Sequence, residues 1–504
     1  MTFRSVVRRI RPVAVIAAAC VALLAWGVSS PPGSSPDDDY HMASIWCATD
    51  APTDLCSTTT QPEERRLPAD VLQAAGCFAF DANAAASCPR DETGTALSIR
   101  GNWNGEAYPP VYYAVTHILA GDDLSASIVA IRSLNAVLYL GLLAVLFFLL
   151  PLAGRAPLVW GALITSIPLG VFILSSVNPS SWAIISASGL WLATWGYFRQ
   201  TGWRKTALAV LTVLLVVVGA GARGDSAAYA MLALFAGSVL AFRRDRGFFV
   251  QALLPVGLVA VAGALFLSAG QSAVVGGATV VTNQTYTFSE LLFINLKQLP
   301  QLITGFMGTW GLGWLDTYMP GIVWVSAMTV FSGVVFWGLR YGTWRKWFAL
   351  AAVGAGMVAV PLYILMHDGV VVGNGVQPRY GYPLVIMFAG IALVGLRRAS
   401  LGLGRLQLAI VGIALVVANS VALHVNIRRY VTGLDRAGIN LDRDIEWWWN
   451  APVSPMGVWV IGTLAFAVMI GVLLAVVWSR EETTSETAKS ESAGPALSSP
   501  SVTV

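Results

Sequence analysis

The chain has 504 residues, 56% of them hydrophobic and 12% charged, with a formal net charge of +4 and a mean hydropathy of +0.67. Soluble domains carry roughly a quarter charged residues, so this composition excludes a water-soluble globular protein. The small positive excess gives no reason to expect a nucleic-acid partner.

Crossing about 30 Å of hydrocarbon takes roughly 20 apolar residues. About twelve such runs follow one another, near 12–29, 127–150, 157–176, 181–198, 206–222, 226–242, 248–268, 320–339, 347–366, 381–396, 406–425 and 455–478. Arg4, Arg8, Arg9 and Arg11 precede the first, which places the N-terminus in the cytoplasm by the positive-inside rule. Alternate connections then carry Arg155; Arg199, Arg204 and Lys205; Arg243, Arg244 and Arg246; Arg340, Arg345 and Lys346; and Arg397, Arg398 and Arg405. Twelve crossings return the C-terminus to the cytoplasm, so the charge pattern and the span count agree. The expectation is an all-α, multi-pass protein of the cytoplasmic membrane. Its polytopic domain covers 1–478, and a polar, Ser/Thr-rich cytoplasmic tail over 479–504 is expected to be disordered. No small-x-small cleavage site stands out in "AWGVSSPPGSS", so the first span is expected to be retained rather than removed as a signal peptide.

Three outer segments are too long to be turns: 31–126, 269–319 and 426–454. The first holds Cys47, Cys56, Cys77 and Cys88, while Cys20 lies in the first span. Four grouped cysteines outside the cytoplasm predict two disulfides. Sequence allows three pairings, of which Cys47–Cys56 and Cys77–Cys88 close the shortest loops; reduced thiols are the alternative.

The same loop opens with "SSPDDDYHMASIWC", which puts Asp37, Asp38, Asp39 and His41 beside hydrocarbon. The plain reading is a helix start at Pro36, capped by Ser35 and with acids favourably placed in its first turn. On such a helix Asp37 and Asp38 share a face with His41. The loop closes with "GNWNGEAYPPVYYAVTHILAG", which carries Glu106 and, at Tyr108-Pro109-Pro110, an extended entry to an interfacial aromatic run. Arg132 follows just inside the second span, where it either snorkels to the headgroups or serves a function. Further along the outer side stand Asn178, Arg223, Asp225, Lys297, Asp316, His367, Asp368, Gln377, Arg379 and Tyr380. Each alone suits a turn, a cap or an anchor. Together they predict a polar cavity opening outward, because polar groups at membrane depth are costly.

The run Pro36-Asp37-Asp38-Asp39-Tyr40-His41, Tyr108-Pro109-Pro110, Arg132, Gly313-Trp314-Leu315-Asp316, and Gln377-Pro378-Arg379-Tyr380 with Pro383 resemble one bacterial family of polytopic membrane proteins. That family is catalogued as domain of unknown function 2142, and the resemblance covers about residues 12–478. The family in turn is similar to the C-class (GT-C) glycosyltransferases, which take a sugar from a polyprenyl-phosphate donor outside the cytoplasmic membrane. The resemblance implies that Asp37 and Asp38 are the catalytic acids, with His41, Asp39 and Glu106 in support. Because a guanidinium matches a phosphate bidentately, Arg379, and with it Arg132 or Lys297, is expected to face the donor phosphate, while Gln377, Tyr380, Asp316, Asn178, Arg223 and Asp225 are expected to line the polar cavity. The chain departs from the family pattern at Asp38, where Glu is usual, and at Pro378, where Gly is usual; the second change removes a backbone donor.

No cofactor is called for with certainty. A divalent ion could sit on Asp37, Asp38 and His41, although HxH and ExxH spacings are absent. No Walker loop or GxGxxG precedes a cytoplasmic helix, which argues against a nucleotide-sugar donor. The expected partners are membrane lipid, a lipid-linked sugar donor and a glycan, lipid or protein acceptor of the envelope. The rival classes are a transporter or flippase of lipid-linked glycans and a non-catalytic envelope-assembly protein.

Overall fold

The computed structural model describes residues 3–49, 54–87, 94–103, 107–268, 286–374, 376–396 and 399–492, with side chains between 12 and 478. The chain is mostly helical. Its helices are α1 (Phe3–Gly27), α2 (Asp38–Trp46), α3 (Ala69–Gln73), α4 (Val111–His117), α5 (Leu124–Leu149), α6 (Leu152–Thr165), α7 (Leu169–Leu174), α8 (Ser180–Arg199), α9 (Gly202–Ala220), α10 (Gly224–Ala241), α11 (Arg246–Ser268), α12 (Phe288–Gln298), α13 (Pro300–Thr304), α14 (Gly321–Leu339), α15 (Trp344–His367), α16 (Pro378–Ala392), α17 (Arg405–Val431) and α18 (Pro455–Ser492), with a π-helical turn at Gly305–Thr309. Glu106, Cys88, Arg397 and Arg398 lie outside the described residues, as does most of the expected outer segment before α12.

Among the described residues, eight helices are long and apolar enough to cross a membrane: α5, α9, α10, α11, α14, α15, α17 and α18 as far as Trp478. The other four expected spans take different forms. Pro12–Gly27 in α1 and the whole of α6 are apolar but shorter. The expected span at 157–176 is divided, with Pro168 between α6 and α7. The helix α16 has only 15 residues. In α8 every residue except Tyr197 and Arg199 is buried by protein. A helix enclosed by neighbours need not present hydrocarbon to lipid, and small polar residues let backbones approach. That explains Ser180, Ser181, Ser186, Ser188 and Thr194 in one membrane-length helix.

Around α8 pack α9, α10, α5 and α16, while α1, α17 and α18 form a second group joined to α14. The last helix runs on to Ser492, past the expected start of the tail at 479. The segment between α1 and α5 departs from an all-α expectation by a three-stranded antiparallel sheet, β1 (Ser57–Thr58), β2 (Arg65–Pro68) and β3 (Thr95–Ser98), in the order β1-β2-β3. Arg66 pairs with Ser57 on one side and with Leu97 on the other. Cys47 and Cys56 form a disulfide with Cα atoms 5.3 Å apart, so the end of α2 is tied to the start of the sheet. Cys77 is also disulfide-bonded, and Cys20 is free.

The connections bring one set of helix ends together. Arg223 before α10 donates to Ser180 at the start of α8 (3.1 Å). Asn178 donates to the Pro36 carbonyl (2.9 Å), and the Val111 amide to that of Gly221 (3.0 Å). At the opposite end Gln200 reaches the Leu149 carbonyl (2.7 Å). Lys346 Nζ there donates to three carbonyls at helix ends, of Gly338, Tyr341 and Val394, at 2.6 to 2.8 Å. The basic connections and the acidic stretch thus lie at opposite ends of the bundle.

Candidate functional site

The turn between α1 and α2, "VSSPPGSSPD", is buried irregular backbone, and buried carbonyls need donors. Long side chains from distant elements supply them. Arg132 Nη1 donates to the carbonyls of Gly27 (2.7 Å) and Ser30 (2.6 Å), and its Nη2 to that of Pro31 (2.8 Å) and to Ser34 Oγ (3.1 Å). Trp449 Nε1 donates to Val28 O (2.7 Å), Trp314 Nε1 to Gly33 O (2.8 Å) and the Tyr430 hydroxyl to Ser34 O (3.2 Å). Gly33 has φ +79° and lies so near α3 that a Cβ would come 2.7 Å from the Ala74 carbonyl carbon, so the position requires glycine.

This frame fixes the residues that follow. The helix α2 begins at Asp38 rather than at Pro36, and Asp37 precedes it in the left-handed region at φ 60°, ψ 21°. Aspartate is one of the few residues that adopts this conformation at modest cost. Ser35 does not act as the expected acceptor cap. Its amide donates to Asp38 Oδ2 (2.9 Å) and its hydroxyl to Asp38 Oδ1. The reversed polarity turns Asp38 back into the protein, where it is fully buried.

The expected acidic pair is therefore split. Asp38 clamps its own turn, while Asp37 keeps a third of its side chain exposed. Asp37 Oδ2 accepts from Arg379 Nη2, and its Oδ1 lies 3.5 Å from Arg100 Nη2. Arg100 Nε also bonds Asp39 at 2.7 Å. The side chain of Arg379 is only 3% exposed, and its Nε and Nη1 are buried without a partner. Asp39 Oδ1, His41 Nε2 and Gln377 Oε1 are buried and unpartnered as well. Buried donors and acceptors left unmet cost about 1–3 kcal/mol each. Arg379 itself carries two such donors beside Asp37.

Aromatic rings enclose the pair. Arg379 lies 5.0 Å from the centroid of Tyr380 and donates to its hydroxyl (3.1 Å). Arg223 lies 4.9 Å from Tyr380 and 5.6 Å from Tyr108. The two guanidiniums thus share one ring. Arg223 is itself held by both oxygens of Asp225, each at 2.9 Å. His41 faces Tyr108 edge-on at 5.3 Å, and its Nδ1 is 2.9 Å from the Tyr113 hydroxyl. Pro378 occupies the first turn of α16, where a missing amide costs nothing.

The site's titrating groups differ sharply. Burial acts to raise Asp37, but the charge and hydrogen bond of Arg379, with the charge of Arg100, hold it below the usual carboxylate range. Burial lifts Asp38 to about 7 against its bonds from Ser35, and raises Asp39 against the pull of Arg100. Burial lowers His41 to about 3, so its imidazole is neutral at physiological pH. A stability prediction follows from Asp38. Below about pH 4 the carboxyl is neutral in both folded and unfolded chains. As pH rises towards 7 the unfolded chain ionises first, so stability should fall across that window and then level off. Asp38→Asn, which resembles the neutral acid and can bond Ser35, should flatten the slope of apparent melting temperature between pH 4 and 7. An unchanged slope would refute the role given to this carboxyl.

Other expected site residues lie elsewhere. Arg132 is spent on backbone, as above. Asp316 accepts from Arg429 Nη2 (2.8 Å) and Thr317 Oγ1 (2.9 Å); Arg429 also donates to the carbonyls of Phe78 (2.6 Å) and Ala84 (2.5 Å). These bonds tie the Gly313–Asp316 motif to the outer segment behind the Ser34 turn. Asn178 supports Pro36. Lys297 lies on the exposed face of α12 over Phe293 at 6.0 Å. Asp37, Asp38 and His41 do not suit a metal ion, because Asp38 faces Ser35 and Asp37 is engaged by two arginines. No group of three or more metal-ligating side chains is found among the described residues. The sequence reading missed Arg100 and Tyr113.

These features define a class: a helical membrane protein whose helix ends on one side hold an arginine-bound carboxylate in an aromatic enclosure. The chain belongs to the family of predicted membrane proteins catalogued as domain of unknown function 2142, whose model matches residues 20–388. No curated protein and no solved structure matches it.

Proposed function

We propose that the protein is a membrane glycosyltransferase of the GT-C type, moving a sugar from a polyprenyl-phosphate donor to an envelope glycan, lipid or protein. In this reading the chain crosses the cytoplasmic membrane twelve times, with both termini in the cytoplasm and Asp37 at the outer face. One observation carries the proposal. A partly exposed carboxylate, Asp37, is paired with an arginine, Arg379, that keeps two buried N–H groups without partners.

Glycosyl transfer needs these two functions side by side. The acceptor oxygen attacks the anomeric carbon, its proton passes to a base, and the bond from that carbon to the donor's phosphate oxygen breaks. The polyprenyl phosphate leaves with the electron pair. A guanidinium suits that phosphate, which it can bind through two parallel N–H groups. The free protein holds Asp37 as a weak base because Arg379 and Arg100 favour its anion. When donor phosphate takes up Arg379's charge, Asp37 loses part of that support and its proton affinity rises. Donor binding thus prepares the base, with Arg100 and Asp39 keeping its carboxylate in place.

The test is reconstitution of purified protein in vesicles with lipid-linked sugar and acceptor. Transfer by wild type, with Arg379→Lys lowering turnover more than donor affinity, supports the enzyme, because Lys keeps charge and loses the planar fork. Movement of intact donor across the bilayer without a glycosidic product would replace this reading with a carrier. Neither transfer nor movement would leave the assembly-protein reading.

A further inference from the structure

The end of the bundle opposite Asp37 carries a second charged constellation that the proposed chemistry does not use. Four rings tie four helix ends together there. Phe198 in the last turn of α8 stacks on Phe248 in the first turn of α11, with centroids 4.7 Å apart. Phe248 meets Phe242, just after α10, at 5.2 Å, and Phe242 meets Trp344 at the start of α15 at 6.1 Å. Phe198, Phe242 and Trp344 are each followed directly by an arginine: Arg199, Arg243 and Arg345. The ring cluster therefore gathers three guanidiniums from three separate helix ends, and Arg199 lies within electrostatic reach of the other two.

Among the described residues, only Asp245 forms an ion pair with any of them. Asp245 lies 3.5 Å from Arg243, but its other oxygen already caps α11 through the Phe248 amide (2.8 Å). Arg345 Nε is buried with no partner. Two of the guanidiniums are held against rings, Arg199 over Trp195 at 5.7 Å and Arg345 over Trp344 at 5.8 Å. Like charges fixed in one place favour an anion between them. The surface beside them is hydrocarbon: Trp344, Phe348 and Phe249 are each more than half exposed.

We propose that Arg199, Arg243 and Arg345 bind the phosphate of an anionic phospholipid whose acyl chains lie along Trp344, Phe348 and Phe249. The charge selects the headgroup, and the exposed rings at bilayer level select a lipid over a free anion. Basic pockets between membrane helices hold phospholipid headgroups in this way. The site is independent of the transferase reading.

The test uses the full chain in nanodiscs of phosphatidylcholine with increasing phosphatidylglycerol. Apparent melting temperature and, after gentle extraction, retained lipid by native mass spectrometry are the readouts. Phosphatidylglycerol is expected to stabilise the protein and to stay bound, and high salt should strip it from wild type. The double variant Arg199→Gln/Arg345→Gln should bind it roughly twenty-five-fold more weakly, at about fivefold per charge lost. The double Lys variant should retain most of the affinity, which separates loss of charge from loss of fold. Equal retention of phosphatidylcholine, or of phosphatidylglycerol by the Gln variant, would overturn the proposal. Equal stabilisation by inorganic phosphate alone would reassign the site to a free anion and overturn the lipid.

Discussion

Asp37→Asn is expected to lower sugar transfer by about 10²–10⁴-fold, the usual contribution of a general base, while Asp38→Asn keeps most of the activity. The two residues are adjacent and chemically identical, so the contrast tests geometry alone. Asp37 meets Arg379 and Arg100 and keeps part of its surface open. Asp38 accepts both of its hydrogen bonds from Ser35 in the interior, within electrostatic reach of Arg132. Asparagine suits both positions structurally. It tolerates the left-handed backbone at 37, and at 38 it mimics the neutral acid. Transfer rates of the two variants, read beside their membrane abundance, decide the assignment. Equal loss in both would mean that Asp38 turns outward when donor binds, and equal retention would remove the base from this stretch altogether.

The sequence made the location of the site legible but not its internal geometry. Acids after the first apolar run, Arg223 with Asp225, and Gln377 with Arg379 all fall in connections expected on the outer side, and charge counting alone groups them there. The structure gathers them, because short connections leave helix ends few places to go. Which acid faces outward depended on one turn. A helix beginning at Pro36 would have put Asp37, Asp38 and His41 on one face. Asp37 instead adopts positive φ, so α2 starts two residues later and the side chains rotate. Periodicity carries no signal for a single left-handed residue. Arg100 was invisible for another reason: it reaches Asp37 only because β3 pairs with β2 and delivers its end above α2. Length and apolarity also mark a span less clearly where protein encloses the helix. A run such as Ser180–Arg199 reads as a weak span because protein, not lipid, surrounds it.

Arg132 shows the same ambiguity at one residue, and it carries the second large expected effect. An arginine inside a membrane helix near the outer face suggests a phosphate ligand. Here its guanidinium satisfies the carbonyls of Gly27, Ser30 and Pro31. Arg132→Met fills similar volume but leaves three buried acceptors without donors, at about 1–3 kcal/mol each. The expected loss is on the order of 3–9 kcal/mol, with the turn that positions Asp37 released first. Arg132→Lys should fall between the two, since Lys346 already holds three carbonyls with one ammonium in this same bundle. The measurement pairs apparent melting temperature with donor affinity for Arg132→Met, Arg132→Lys and Arg379→Lys. In the first two, stability and activity should decline together, while Arg379→Lys should melt like wild type and turn over slowly. An Arg132→Met protein that melts normally and has lost only donor binding would return this arginine to the phosphate and leave the turn to its other donors, among them Trp314, Tyr430, Trp449, Asn178 and Asn426.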